Sequence, residues 1–100
     1  MSQKSLPLTV EGFLERLTQE GFTWSQIHAS LASRKYLVGG DFVLWCSPQG
    51  HAYLIEFAEY ESAAKERRNA TSVAADMLFY EDGVERMLSE IRKRVTKVAV

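Results

Sequence analysis

Residues Gly39 to Phe57, GGDFVLWCSPQGHAYLIEF, constrain this chain more than any other stretch. Two runs crowded with Phe, Val, Leu, Trp, Tyr and Ile flank Ser47-Pro48-Gln49-Gly50, the composition of two strands around a turn. Proline already has the φ required at the second position of a type I turn, and Gly50 can supply the left-handed residue of a bulged connection. The turn then sets the register. With Ser47 facing His51, Leu44 faces Leu54, Val43 faces Ile55, Trp45 faces Tyr53, Phe42 faces Glu56 and Asp41 faces Phe57. Both faces of the ribbon are apolar, with Phe42, Leu44, Cys46 and Leu54 on one and Val43, Trp45, Tyr53, Ile55 and Phe57 on the other. A lone hairpin is marginal in water. Helices must therefore cover one face, and more of the chain or a second molecule the other.

The flanking segments read as helices. Val10, Phe13, Leu14 and Leu17 recur at helical spacing from Thr9, and Gly21 is a natural terminator. Thr23-Trp24-Ser25-Gln26 has the form of a capping box, with Phe22 and Ile27 at the staple positions, and predicts a second helix through Trp24, Ile27, His28 and Leu31. Glu59 to Tyr80 is rich in helix formers and is expected to be one long helix or two short ones, with a weak point at Asn69-Ala70-Thr71-Ser72. Asp82-Gly83-Val84-Glu85 supplies another capping signal, and Val84, Leu88, Ile91, Val95 and Val98 recur at heptad-like steps. That seam is too short for a coiled coil and reads as a helix packed on the core. The expected architecture is α+β in the order ααββαα, a single domain over residues 1–100 with residues 1–8 flexible. A chain of 100 residues can bury one core, but not two.

Lysine plus arginine number 12 against 13 acidic residues, a net charge of −1, so no overall positive field draws the protein to phosphate backbones or anionic lipid. The single cysteine, Cys46, excludes an internal disulfide and any multi-cysteine metal site; it lies in an apolar run and reads as a small buried thiol. No apolar stretch approaches the roughly 20 residues that span a bilayer, and residues 1–7 lack a signal-peptide core. A cytoplasmic setting is expected, with no membrane association.

Asp41 and Glu56, on two strands joined by a turn with Leu54-Ile55-Glu56-Phe57 on the second, resemble the metal-binding hairpin of restriction-endonuclease-like nucleases. That resemblance implies a divalent ion held by the two carboxylates and a lysine soon after the glutamate. Ala58 stands where the lysine would be, and the assumed register sends Asp41 and Glu56 to opposite faces, so Asp41 is read as a strand cap and Glu56 as a solvent-edge or partner-facing charge. Leu17 to Ile27 resembles the first two helices of a helix-turn-helix DNA-binding domain, with the hairpin as a wing. It implies nucleic-acid phosphate contacts from Arg34, Lys35, Arg67 and Arg68, but Ser33 to Val38 is too short for a reading helix. His28 and His51 are too few for a metal cage, and Cys46 has no neighbouring base to activate it. No catalytic residue, metal ligand or cofactor site is assigned.

What remains is an excess of large amphipathic rings. Trp24, Tyr36, Trp45, Tyr53, Tyr60 and Tyr80, with Phe79, are more than so small a core readily hides, and such rings dominate binding hot spots. The expected function is therefore non-enzymatic: an adaptor, regulator or inhibitor that binds another protein, or a second copy of itself as a homodimer, using one face of the hairpin or the Val84 to Val98 seam.

Overall fold

The computed structural model describes residues 9–96, with elements in the order α1 (Val10–Gln19), β1 (Trp24–Ala29), β2 (Arg34–Val38), β3 (Phe42–Cys46), β4 (His51–Glu56), α2 (Phe57–Glu66), β5 (Ala74–Met77) and α3 (Glu81–Arg94). The expectations for residues 1–8 and for Val98 lie outside the described residues. The five strands form one antiparallel sheet in sequential order. The ααββαα expectation is thus corrected: the hairpin belongs to a five-stranded meander, and three helices surround it.

The β3–β4 hairpin keeps the register its turn dictates. Phe42 pairs with Glu56, Val43 with Ile55, Leu44 with Leu54 and Trp45 with Tyr53. The Ser47 amide donates to the His51 carbonyl at 2.9 Å, and Gly50 takes a φ of 89°, left-handed backbone that favours glycine. A Cβ on Gly50 would also lie 2.7 Å from the Phe79 ring.

One face of the ribbon is covered within the chain throughout and the other in part. One core gathers Val10, Phe13, Leu14 and Leu17 of α1 with Val84, Met87, Leu88 and Ile91 of α3, packed on Tyr36, Val38, Phe42, Leu44, Cys46, Ala52 and Leu54 of the sheet. The alternate residues Val43 and Ile55 point away from that cluster and are equally buried, as is Ala63 of α2, a helix that contacts β3 and β4. Layers therefore run α1 and α3, sheet, α2. The described part of the apolar seam, Val84, Leu88, Ile91 and Val95, is buried in the first core, with Leu88 and Ile91 inaccessible to solvent.

Helix α1 begins where expected: the Thr9 hydroxyl accepts from the Gly12 amide at 3.0 Å, and Gly21 at φ 95° ends it. The second expected helix is instead strand β1. Trp24, Ile27 and Leu31 do repeat at helical spacing, but the stripe does not become a buried face; all three are exposed, Trp24 only in part as it leans on Tyr36 and Leu31 almost completely at 98%. A helix of two turns with no buried face has little to hold it in water. The main chain finds a ladder instead, beginning where the Gly39 amide donates to the Thr23 carbonyl at 2.9 Å. The reversal is built by Ser30, whose hydroxyl accepts from the amides of Ala32 and Ser33 at 3.2 Å each.

The helical expectation for Glu59 to Tyr80 is also corrected. Helix α2 stops at Arg67, which takes left-handed φ 56°, and residues 74–77 join the sheet beside β4. Glu59 ties the reversal down, accepting from the Thr71 amide at 2.9 Å and from Arg68 at 2.6 Å. The helix ends just ahead of the expected weak point at Asn69 to Ser72, and β5 follows from Ala74. The N-cap of helix α3 is Tyr80, two residues before the expected cap at Asp82. Gly83 lets its first turn close on β5: a Cβ there would collide with the Met77 carbonyl oxygen.

Candidate binding face

The residues of the α2-covered side of the sheet fall into rungs. Pairing aligns His28 of β1 with Lys35 of β2, Lys35 with Trp45 of β3, Trp45 with Tyr53 of β4, and Tyr53 with Ala75 of β5. One line of side chains thus crosses all five strands on a single face. In the neighbouring rung, Leu37, Val43 and Ile55, the β3 and β4 members lie beneath α2. At the His28 to Ala75 rung that cover gives way. Trp45 and Lys35 are half-buried, while Tyr53, His28 and Ala75 are exposed. His51, next but one to Tyr53 on β4 and paired with Met77, extends the open area toward the turn.

Lys35 organises this face. Its ammonium lies 4.7 Å from the centre of the Trp45 ring and 5.7 Å from that of Tyr60, which reaches over from α2. A cation over two electron-rich ring faces is held by their quadrupoles, a contribution of about 0.5–1 kcal/mol at exposed sites. Phe57 stacks on Tyr60 with centroids 6.3 Å apart, fixing the second ring.

Elsewhere most of the described arginines are neutralised. Arg34 reaches Glu11 at 2.6 Å, Arg68 reaches Glu59 and Glu66 at 2.6 Å each, Arg86 holds Asp76 at 2.7 Å, and Arg16 reaches Glu85 at 2.8 Å. These contacts hold the carboxyl groups of Glu59, Glu66 and Asp76 below their ordinary values, and Glu11 is lowered by a backbone hydrogen bond first and by Arg34 second. At Glu59 the Arg68 guanidinium, with the Thr71 amide, lowers it to about 2. Lys35 has no ion-pair partner among the described residues, and its rung contains no carboxylate.

The six rings named from sequence separate into different environments. Trp45, Tyr53 and Tyr60 share the open face. Tyr36 is buried at 2% exposure and belongs to the core, which removes it as a contact residue. Trp24 meets Tyr36 edge-on at 5.8 Å between centroids and donates from Nε1 to the Thr18 hydroxyl at 2.9 Å, on the α1 side of the sheet. Tyr80 is 64% exposed at the start of α3, apart from the others. The sequence pattern alone groups Lys35 with phosphate contacts and does not link His28 or Ala75 to the aromatics. Only the five-strand register brings them together.

The sites suggested by resemblance do not assemble. No second helix comes directly after Gly21, so the helix-turn-helix pair is absent from the described residues; Arg34 and Arg68 are bound to carboxylates, and Arg67 caps α2. Glu56 pairs with Phe42, while the Asp41 carbonyl accepts from the Phe57 amide at 2.9 Å, so the two acids occupy adjacent rungs with opposite orientation. The described residues contain no group of three His, Cys, Asp or Glu side chains that could hold a metal.

A cleft of about 300 Å³ opens between the start of α1 and the two hairpin turns, its described lining including Glu11, Arg34, Cys46 and Phe79. Burial pushes the Cys46 thiol up to about 12, so no thiolate nucleophile is available there near neutral pH, and Arg34 and Glu11 are occupied with each other. No helix among the described residues is long and apolar enough to cross a membrane. Comparison with family models, curated proteins and solved structures found no match.

Proposed function

We propose that this chain is a small non-enzymatic protein-binding module, an adaptor, regulator or inhibitor, whose contact surface is the open half of the sheet around Trp45, Tyr53 and Tyr60. One observation carries the reading: two large rings oppose each other on adjacent strands, both open to solvent in part and flanked by a buried rung that holds the backbone beneath them. Such rings give large contact area at low conformational cost, and hot spots concentrate in them. Against catalysis stand the neutral Cys46 thiol and the character of the shifted carboxylates: Glu11, Glu59 and Asp76 are each lowered and each tied to an arginine in an ion pair, Glu11 within the cleft included. The single cysteine favours a reducing, cytoplasmic setting.

A photo-cross-linking residue at position 53 tests the reading in cells, with the same residue at Glu15 on α1 as control. Discrete protein adducts from position 53 alone are expected. Adducts identical from both positions, or none, reject the face as a contact surface.

A homodimer is the second reading. It is favoured by the outer edge of the sheet, where Trp24 to Ser33 carries no Asp, Glu, Lys or Arg and every residue of β1 is exposed. The bulge between Gln26 and His28 limits the length of any strand added there. A monomeric mass in light scattering at millimolar concentration rejects it.

A further inference from the structure

We infer that the partner presents a carboxylate-rich segment, Asp or Glu side chains on an extended stretch of protein, and that Lys35 receives it between the rings of Trp45, Tyr53 and Tyr60. The inference rests on the protein-binding reading and specifies its chemistry.

The argument is one of charge complementarity. The chain carries a net charge of −1, and Arg16, Arg34, Arg68, Arg86 and Arg92 are each within 2.8 Å of a carboxylate oxygen of this chain. Lys65 and Arg67 also have no ion pair among the described residues, but Lys35 is set apart by its surroundings. Its ammonium has two aromatic faces as neighbours and no carboxylate partner among the described residues, in a rung of the α2 side that runs through all five strands. Rings satisfy a cation in part and leave its remaining N–H directions free for an acceptor. An ammonium beside half-buried apolar surface is already partly stripped of water, so an incoming carboxylate gains more from it than from a solvated surface lysine. The flanking groups fit the same ligand: His28 and His51 can donate to carboxylate oxygens, and the small Ala75 beside Tyr53 leaves room for an apolar side chain.

Single-stranded nucleic acid also combines anions with stacking groups, but it tracks a row of cations along the backbone. This rung offers one permanent cation, and Arg34, its neighbour in sequence, is turned to the opposite side and bound to Glu11. The geometry favours an acidic protein segment.

The test uses intrinsic fluorescence of the full chain in a Trp24→Phe background, where Trp45 is the sole indole. Capped octaglutamate is titrated first, with octalysine and the oligonucleotide (dT)8 as comparisons. Octaglutamate is expected to change Trp45 emission saturably, with affinity that falls as salt rises and drops about tenfold or more in Lys35→Met. Lys35→Arg, which keeps the charge, should retain most of the affinity. A saturable response to (dT)8 with none to octaglutamate overturns the inference in favour of nucleic acid. Equal responses to both polyanions that survive Lys35→Met overturn it as non-specific attraction. No response to octaglutamate overturns it as well, and discrete cross-links from position 53 would then leave the broader protein-binding reading standing.

Discussion

Strand β4 offers a direct test of the three-layer architecture, because Leu54 and Ile55 are adjacent in sequence yet sit on opposite faces of the sheet. Leu54 is inaccessible in the core shared with α1 and α3, and Ile55 is 1% exposed on the side of α2. Truncating either to alanine removes most of a buried side chain and leaves a void, which costs about 2–5 kcal/mol depending on local collapse. Helix α2 is short and contributes only Ala63 as a fully buried residue, so the site of Ile55 can relax more easily. Ile55→Ala should therefore fall near the low end, about 2–3 kcal/mol, and Leu54→Ala nearer about 4 kcal/mol. For a domain of this size about 1 kcal/mol corresponds to roughly 4–8 °C in Tm, so the two variants should melt about 10–20 °C and about 20–30 °C below the parent. Urea unfolding, monitored by circular dichroism, gives the free energies directly, and Ile55→Val should cost only about 1 kcal/mol. A loss below about 0.5 kcal/mol for Ile55→Ala, beside a large loss for Leu54→Ala, would refute the claim that α2 covers the second face at Ile55.

Three further outcomes rest on individual contacts. Gly83→Ala should destabilise by about 1–3 kcal/mol, because its methyl meets the Met77 carbonyl and either α3 or β5 must move; thermal melts check this. Glu59, lowered to about 2 by Arg68 and the Thr71 amide, stabilises the fold above its ordinary value of 4.5, and that contribution is lost as pH falls toward about 2. Stability curves of the parent and Glu59→Gln should accordingly converge across that window, and parallel curves would contradict the pairing. Cys46, with its thiol pushed up to about 12, should resist a disulfide reagent at pH 8 in the folded protein and react once denatured.

The β3–β4 hairpin is legible in the sequence because its turn chemistry, Pro48 with Gly50, and its double apolar alternation specify one register without help from the rest of the chain. Helix α1 is legible for a similar reason: its stripe of Val10, Phe13, Leu14 and Leu17 is the face that becomes buried. β1 misleads because Trp24, Ile27 and Leu31 imitate such a stripe without becoming a buried face, and because the Ser30 turn competes with a plausible capping box. β5 is hidden by composition. Ala74, Ala75 and Met77 are helix formers, and their extended form comes from pairing with β4, a non-local contact that no local signal announces. The binding face is half visible. Trp45 opposite Tyr53 is dictated by the turn, but the place of Lys35 depends on β2 being a strand, and Arg34-Lys35-Tyr36-Leu37-Val38 reads locally as the short tail of a helical region.

The most direct test of the account is an amide and indole NMR shift map of the labelled protein titrated with octaglutamate. Shifts confined to His28, Lys35, Trp45, His51, Tyr53, Ala75 and the neighbouring turn of α2 at Tyr60 are predicted, with α1 and α3 silent. Shifts centred on the α1 and α3 layer, or scattered over every basic side chain, would contradict a single docking face on this side of the sheet.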